Sequence, residues 1–111
     1  NNVRRTGEQL GTPTGINQFG EIIPDKFELF QNYPNPFNPM TNVQWTMSKS
    51  SNVKLVIFDV LGREVVTLVN EKLGPGKYSV DFDGTNYASG VYFYKIQAGT
   101  YSELKKMVLL K

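Results

Sequence analysis

The sequence predicts an all-β domain, a sandwich of two packed antiparallel sheets with about seven strands. Three observations predict it. Several runs alternate apolar and polar residues with a period of two, most cleanly Lys77-Tyr78-Ser79-Val80-Asp81-Phe82-Asp83. Breaks rich in Gly, Pro, Asn and Ser separate these runs, many at the spacing of about 8–12 residues expected of a sandwich. Aromatic residues make up 13% of the 111 residues, which suits a core in which large rings fill the space between sheets. The architecture is immunoglobulin-like, but the chain has no cysteine. The Cys…Trp…Cys signature of antibody domains is therefore absent, and only the architecture is predicted.

Residues 1–24 read as a flexible tether. Gly7, Gly11, Gly15 and Gly20 mix there with Thr12, Pro13, Thr14 and Asn17, and the scattered apolar residues follow no period. Residues 25–111 read as the folded domain. Phe27–Phe30 is a short first strand, with Phe27 and Leu29 on one face. Next comes Gln31-Asn32-Tyr33-Pro34-Asn35-Pro36-Phe37-Asn38-Pro39. Each proline fixes its own φ and lacks a donor, and each pushes the residue before it toward extended geometry. Neither a helix nor a central strand runs through such a segment. The three asparagines suit tight turns, and the segment is expected to close one end of the sandwich with Tyr33 and Phe37 as pegs into the core.

Thr41–Met47 alternates, with Val43, Trp45 and Met47 inward and Asn42, Gln44 and Thr46 outward. After a polar loop over 48–52, Val53–Phe58 is the most apolar run and belongs in the middle of a sheet. Asp59-Val60-Leu61-Gly62-Arg63 turns the chain, with Gly62 at a position of positive φ and Arg63 paired to Asp59. Glu64–Val69 returns as a hairpin strand. Its apolar residues fall on both faces, which predicts a bulge or a helical turn. Gly74-Pro75-Gly76 breaks the chain before the 77–83 strand, in which Tyr78, Val80 and Phe82 face in. A loop through Asn86 and Tyr87 ends at Gly90. Val91–Ala98 and Tyr101–Leu110 then form the last hairpin, across Gly99-Thr100.

Composition excludes several functions. Net charge is +2 with both signs spread along the chain, unlike the concentrated basic face of a nucleic-acid domain. With neither histidine nor cysteine, the usual general base, the usual nucleophile pair and thiolate metal sites are gone. No apolar run approaches the roughly 20 residues of a membrane span. No apolar segment of a signal peptide opens the chain; if the domain is exported, its signal is expected on a longer precursor, of which this chain would be the C-terminal part.

Three clusters remain, one of them with two functional readings. Asp81 and Asp83 share one strand face roughly 6–7 Å apart. A glycosidase pair is possible in principle, but an exposed edge is the wrong place, and no catalytic residue is expected. The same carboxylates with Thr85 and Asn86 are weak calcium candidates; the ordinary reading is an Asx turn. Tyr33, Trp45, Tyr87, Tyr92, Tyr94 and Tyr101 would serve a carbohydrate-binding module if exposed. Lys105-Lys106-Met107-Val108-Leu109-Leu110-Lys111 is short, apolar and flanked by lysines. It is either an edge strand guarded by lysines or a basic strand read by another protein through strand addition.

Residues 27–41, from Phe27-Glu28-Leu29 through Tyr33-Pro34-Asn35-Pro36-Phe37 to Thr41, resemble the opening of the type A C-terminal sorting domain of type IX secretion. The likeness continues through Val56-Ile57-Phe58-Asp59-Val60-Leu61-Gly62-Arg63-Glu64-Val65, Ser89-Gly90-Val91-Tyr92-Phe93-Tyr94-Lys95 and Lys105–Lys111, in the family's order and spacing. The resemblance implies an immunoglobulin-like sandwich at the end of a large secreted protein, without enzymatic activity or cofactor. It implies recognition by the outer-membrane translocon and its shuttle proteins, with Lys105 to Lys111 carrying much of the signal. Gly62, Arg63, Gly90 and Tyr92 match internal motifs of the family. A sortase-like surface peptidase would cut within the tether, leaving the passenger attached to the cell surface or released. The domain is expected to act as a monomer. The alternative from another class is an accessory carbohydrate- or calcium-binding module of a secreted hydrolase.

Overall fold

The computed structural model describes residues 4–5 and 24–111. Apart from Arg4, Arg5 and Pro24, the tether expected over 1–24 lies outside the described residues. Eight strands follow one another: β1 (Arg4–Arg5), β2 (Glu28–Leu29), β3 (Met40–Met47), β4 (Ser51–Phe58), β5 (Glu64–Leu73), β6 (Gly76–Asp83), β7 (Gly90–Ala98) and β8 (Tyr101–Leu109). They form two four-stranded sheets, ordered β1-β6-β3-β2 and β5-β4-β7-β8. Every strand pairing is antiparallel, and no helix occurs among the described residues. The all-β sandwich predicted from the alternation is the fold observed.

Period-two patterning sets which side chains meet. From the first sheet, Val43, Trp45 and Met47 on β3 and Tyr78, Val80 and Phe82 on β6 are buried. From the second come Val53, Leu55 and Ile57 on β4, Tyr92, Tyr94, Ile96 and Ala98 on β7, and Met107 and Leu109 on β8. These form a single apolar cluster. Burial of each large side chain stabilises by about 1.5–3 kcal/mol. Trp45 and Tyr78 are partners in register and stack with ring centroids 5.8 Å apart. The most apolar strand, β4, lies inside its sheet between β5 and β7.

The two-faced apolar pattern of the fifth strand has its reason in two irregularities. Leu55 pairs with Val69 but Val56 with Thr67, and Ile57 pairs with Val66 but Phe58 with Glu64. Leu68 and Val65 are the extra residues, so each shifts the alternation by one and turns apolar residues to both faces. Other details depart from the alternation. Ser51 and Asn52 join β4, and β5 runs on to Leu73. Thr46 and Ser79, expected outward in exposed positions, are buried. The Thr46 hydroxyl donates to the Lys26 carbonyl at 2.9 Å, and Ser79 lies in register between Gln44 and Arg4.

Candidate functional site

Segment 31–39 leaves β2 on the first sheet and crosses to the outer edge of β8 on the second. On one side the Tyr33 and Asn42 backbones exchange hydrogen bonds of 3.0 and 2.9 Å, and Gly84 N–H donates to the Pro39 carbonyl at 2.8 Å. On the other side Phe37 N–H donates to the Val108 carbonyl at 2.9 Å, and Leu110 N–H donates to the Phe37 carbonyl at 2.9 Å. This is a parallel bridge between Phe37 and Leu109. The Asn35 side-chain oxygen accepts from Val108 N–H at 3.0 Å, and the Gln31 amide donates to the Lys106 carbonyl at 2.7 Å. The Tyr33–Pro34, Asn35–Pro36 and Asn38–Pro39 bonds are cis. The segment thus supplies, from one backbone bridge and two amide side chains, the partners that the last residues of an edge strand would otherwise lack.

A buried polar knot holds the segment in place. Asn32 is 2% exposed. Its N–H donates to the Tyr94 hydroxyl at 2.8 Å, and that hydroxyl donates to the Phe30 carbonyl at 2.7 Å. The Asn32 side-chain amide donates to the Thr41 hydroxyl at 2.9 Å and to the Pro34 carbonyl at 3.2 Å, and Thr41 donates to the same carbonyl at 2.9 Å. Burial pushes the Tyr94 hydroxyl up to about 12, so it is a neutral donor at any ordinary pH.

Of the two expected pegs only Phe37 enters the core. It is 1% exposed and meets Phe82 edge to face at 5.9 Å. Tyr33 is 80% exposed, because its backbone partner Asn42 points away from the core and cross-strand partners share a face.

The C-terminal strand is divided by the same alternation. Met107 and Leu109 are buried, whereas Leu104 and Leu110 are exposed. The side chains that remain accessible over 105–111 are Lys105, Lys106, Val108, Leu110 and Lys111. Lys105 pairs with Glu103 at 3.4 Å. Lys111 reaches the Thr85 carbonyl through Nζ at 2.6 Å, and its N–H donates to Ser89 Oγ at 2.9 Å.

The remaining motif residues serve turns and packing. Asp59 Oδ1 accepts from the N–H groups of Leu61 at 2.9 Å and Arg63 at 3.0 Å, and Oδ2 meets Arg63 Nε at 2.9 Å. The Arg63 backbone N–H chiefly, with Leu61 N–H and the guanidinium, holds this carboxyl below its ordinary value. Gly62 has φ +80° with open space around it, a conformation that other residues adopt at a cost of about 1–2 kcal/mol. Gly90 has φ +152°. Tyr92 is buried and donates to the Ala88 carbonyl at 2.7 Å, a packing role.

Asp83 accepts from the hydroxyl and the N–H of Thr85, which lower its pKa, and Asp81 accepts from the Asn42 amide at 2.9 Å. Among the described residues no group of three or more acidic side chains is placed to hold a metal. The aromatic residues of the carbohydrate alternative are dispersed over the fold. Trp45, Tyr92 and Tyr94 are buried, Tyr87 stacks on Phe82 and Tyr101 on Phe27, and Tyr33 stands apart.

Sequence reasoning missed the Asn32–Thr41–Tyr94 network and the contact between segment 31–39 and β8. Asn35 and Val108 are 73 residues apart, and no local pattern reports a pairing at that distance. No curated protein matches the chain. A family described as the secretion system C-terminal sorting domain matches residues 31–110, a span that opens on the Pro-rich segment and closes on β8. The chain belongs to the type IX secretion C-terminal sorting domain family.

Proposed function

We propose that this domain is the address that sends an upstream passenger through the type IX system, and that β8 with segment 31–39 is the surface the machinery reads. Membership of the family supports a sorting role, and implies contact with the secretion machinery and a secreted or cell-surface product. The observation that supports the location is the joining of the family's first and last motifs into one surface. Within it, Lys106, Val108, Leu110 and Lys111 present side chains to a partner, while Met107 and Leu109 hold the strand down. The translocon and its shuttle proteins would bind this surface, and a sortase-like peptidase would cut within 1–24, leaving the passenger on the surface or released. The domain acts as a monomer without catalysis; the family is not known as a catalytic one.

The test is export of a signal peptide and fluorescent passenger fused to this chain, in a bacterium with a type IX system. Truncation after Leu104 is uninformative, because it deletes the buried Met107 and Leu109. The informative variant is Lys106→Glu with Leu110→Asp, both exposed. Surface display of the parent fusion and periplasmic retention of a variant that melts alike supports the reading. Retention of the parent fusion, in a strain that exports a known sorting domain, overturns it.

A further inference from the structure

Among the described residues, the edge of β8 is closed over one half and open over the other. Val108 N–H and C=O, Leu110 N–H and Lys106 C=O all point away from β7, toward segment 31–39. Outward-pointing residues alternate along an antiparallel edge, so the N–H and C=O of Ser102 and Leu104 and the N–H of Lys106 point the same way. None of these groups has a partner among the described residues. Leu104 is 55% exposed beside them. Lys95, its partner in register on β7, and Lys106 lie on the same outer face, and neither has a carboxylate partner among the described residues. The carboxylate nearest in sequence, Glu103, is occupied by Lys105 and Tyr101.

We infer that the open half-edge, Ser102 to Lys106, takes an extended peptide strand of the secretion machinery. That strand presents an apolar side chain to Leu104 and carboxylates to Lys95 and Lys106. The inference rests on the sorting role proposed above. Backbone pairing supplies affinity in strand addition and alternate side chains supply selectivity. Segment 31–39 sets the register, because Gln31 and Asn35 already occupy the edge beyond Lys106. Charge selects the occupant: a second copy of this chain would bring the same lysines to the edge rather than carboxylates.

Proline substitution tests this with little damage to the fold, since an outward N–H on an edge strand takes no part in the ladder. In the fluorescent fusion, Ser102→Pro and Leu104→Pro are expected to melt close to the parent and to lose surface display at least tenfold. Lys105→Pro, whose N–H points to β7, is expected to unfold. Lys95→Glu with Lys106→Glu is expected to reduce display while leaving the melt unchanged. Parent-level display by folded Ser102→Pro and Leu104→Pro overturns the inference and leaves the sorting role standing; failure of the parent fusion itself overturns that role. If both proline variants unfold, amide exchange in the parent protein decides. Rapid exchange at Ser102, Leu104 and Lys106 supports an open edge, and slow exchange overturns it. Sedimentation of the parent protein as a dimer that separates on Leu104→Pro also overturns it.

Discussion

Replacing Phe37 by alanine removes the one buried apolar side chain of the Pro-rich segment. Its ring is 1% exposed, meets Phe82 at 5.9 Å and lies beside Leu109 around Gly84. Burial this complete places the substitution in the range of about 3–5 kcal/mol for Phe→Ala. The stability of a domain of this size is only about 5–15 kcal/mol, so the loss is a large share of the total. With a urea slope of about 2 kcal/mol per M, the unfolding midpoint falls by roughly 2 M at constant slope. Tyr33→Ala, four residues earlier and 80% exposed, is the internal control, expected within about 0.5 kcal/mol of the parent. Urea titration of the three proteins by far-UV circular dichroism makes the comparison. A Phe37→Ala midpoint within experimental error of the Tyr33→Ala midpoint would refute the placement of Phe37 as the anchor of the segment.

Tyr94→Phe leaves Asn32 N–H and the Phe30 carbonyl without their hydroxyl, a loss of about 1–3 kcal/mol for buried groups, read in the same titration. Tyr94 also sets an alkaline limit. Its folded value of about 12 lies above the ordinary 10.0. The stability it contributes is therefore fully present below pH 10.0 and is lost as pH rises toward about 12. The fall in unfolding midpoint over that window shrinks in Tyr94→Phe. For Asp83, whose value is lowered, the sign reverses: its contribution is present above pH 3.8 and fades as acid protonates it, and Asp83→Asn removes this pH dependence. Gly84→Ala puts a Cβ 3.0 Å from Leu109 Cδ2 and 3.3 Å from the Phe37 ring, which costs about 1–3 kcal/mol by crowding. Gly62→Ala meets open space and costs about 1–2 kcal/mol through φ alone; melting both variants separates the two causes.

The sandwich was legible because it rests on a local signal. Tyr78, Val80 and Phe82 report their face through nothing more than their spacing, and Gly62 reports its turn through its own backbone. Even the disorder of pattern in Glu64–Leu73 was informative, since Val65 and Leu68 are the inserted residues. What stayed hidden is what depends on partners far away in sequence. Asn32 resembles any turn asparagine until Thr41 and Tyr94 are brought to it. Tyr33 and Phe37 look equivalent in the motif, and only the pairing of Tyr33 with Asn42 turns one ring to solvent and leaves the other in the core. For β8 the alternation separates Met107 and Leu109 from their exposed neighbours, but which half of its edge is covered depends on a segment some 70 residues earlier.

The stack of Trp45 on Tyr78 gives the domain an optical probe of its own. The chain has one tryptophan, and it is shielded from water within the β3–β6 pair. Its emission therefore reports the separation of the first sheet and not the state of the β8 edge on the second. Release of segment 31–39 from β8 leaves that fluorescence nearly unchanged, whereas global unfolding shifts it to longer wavelength. The two events can thus be told apart in solution without attaching a dye.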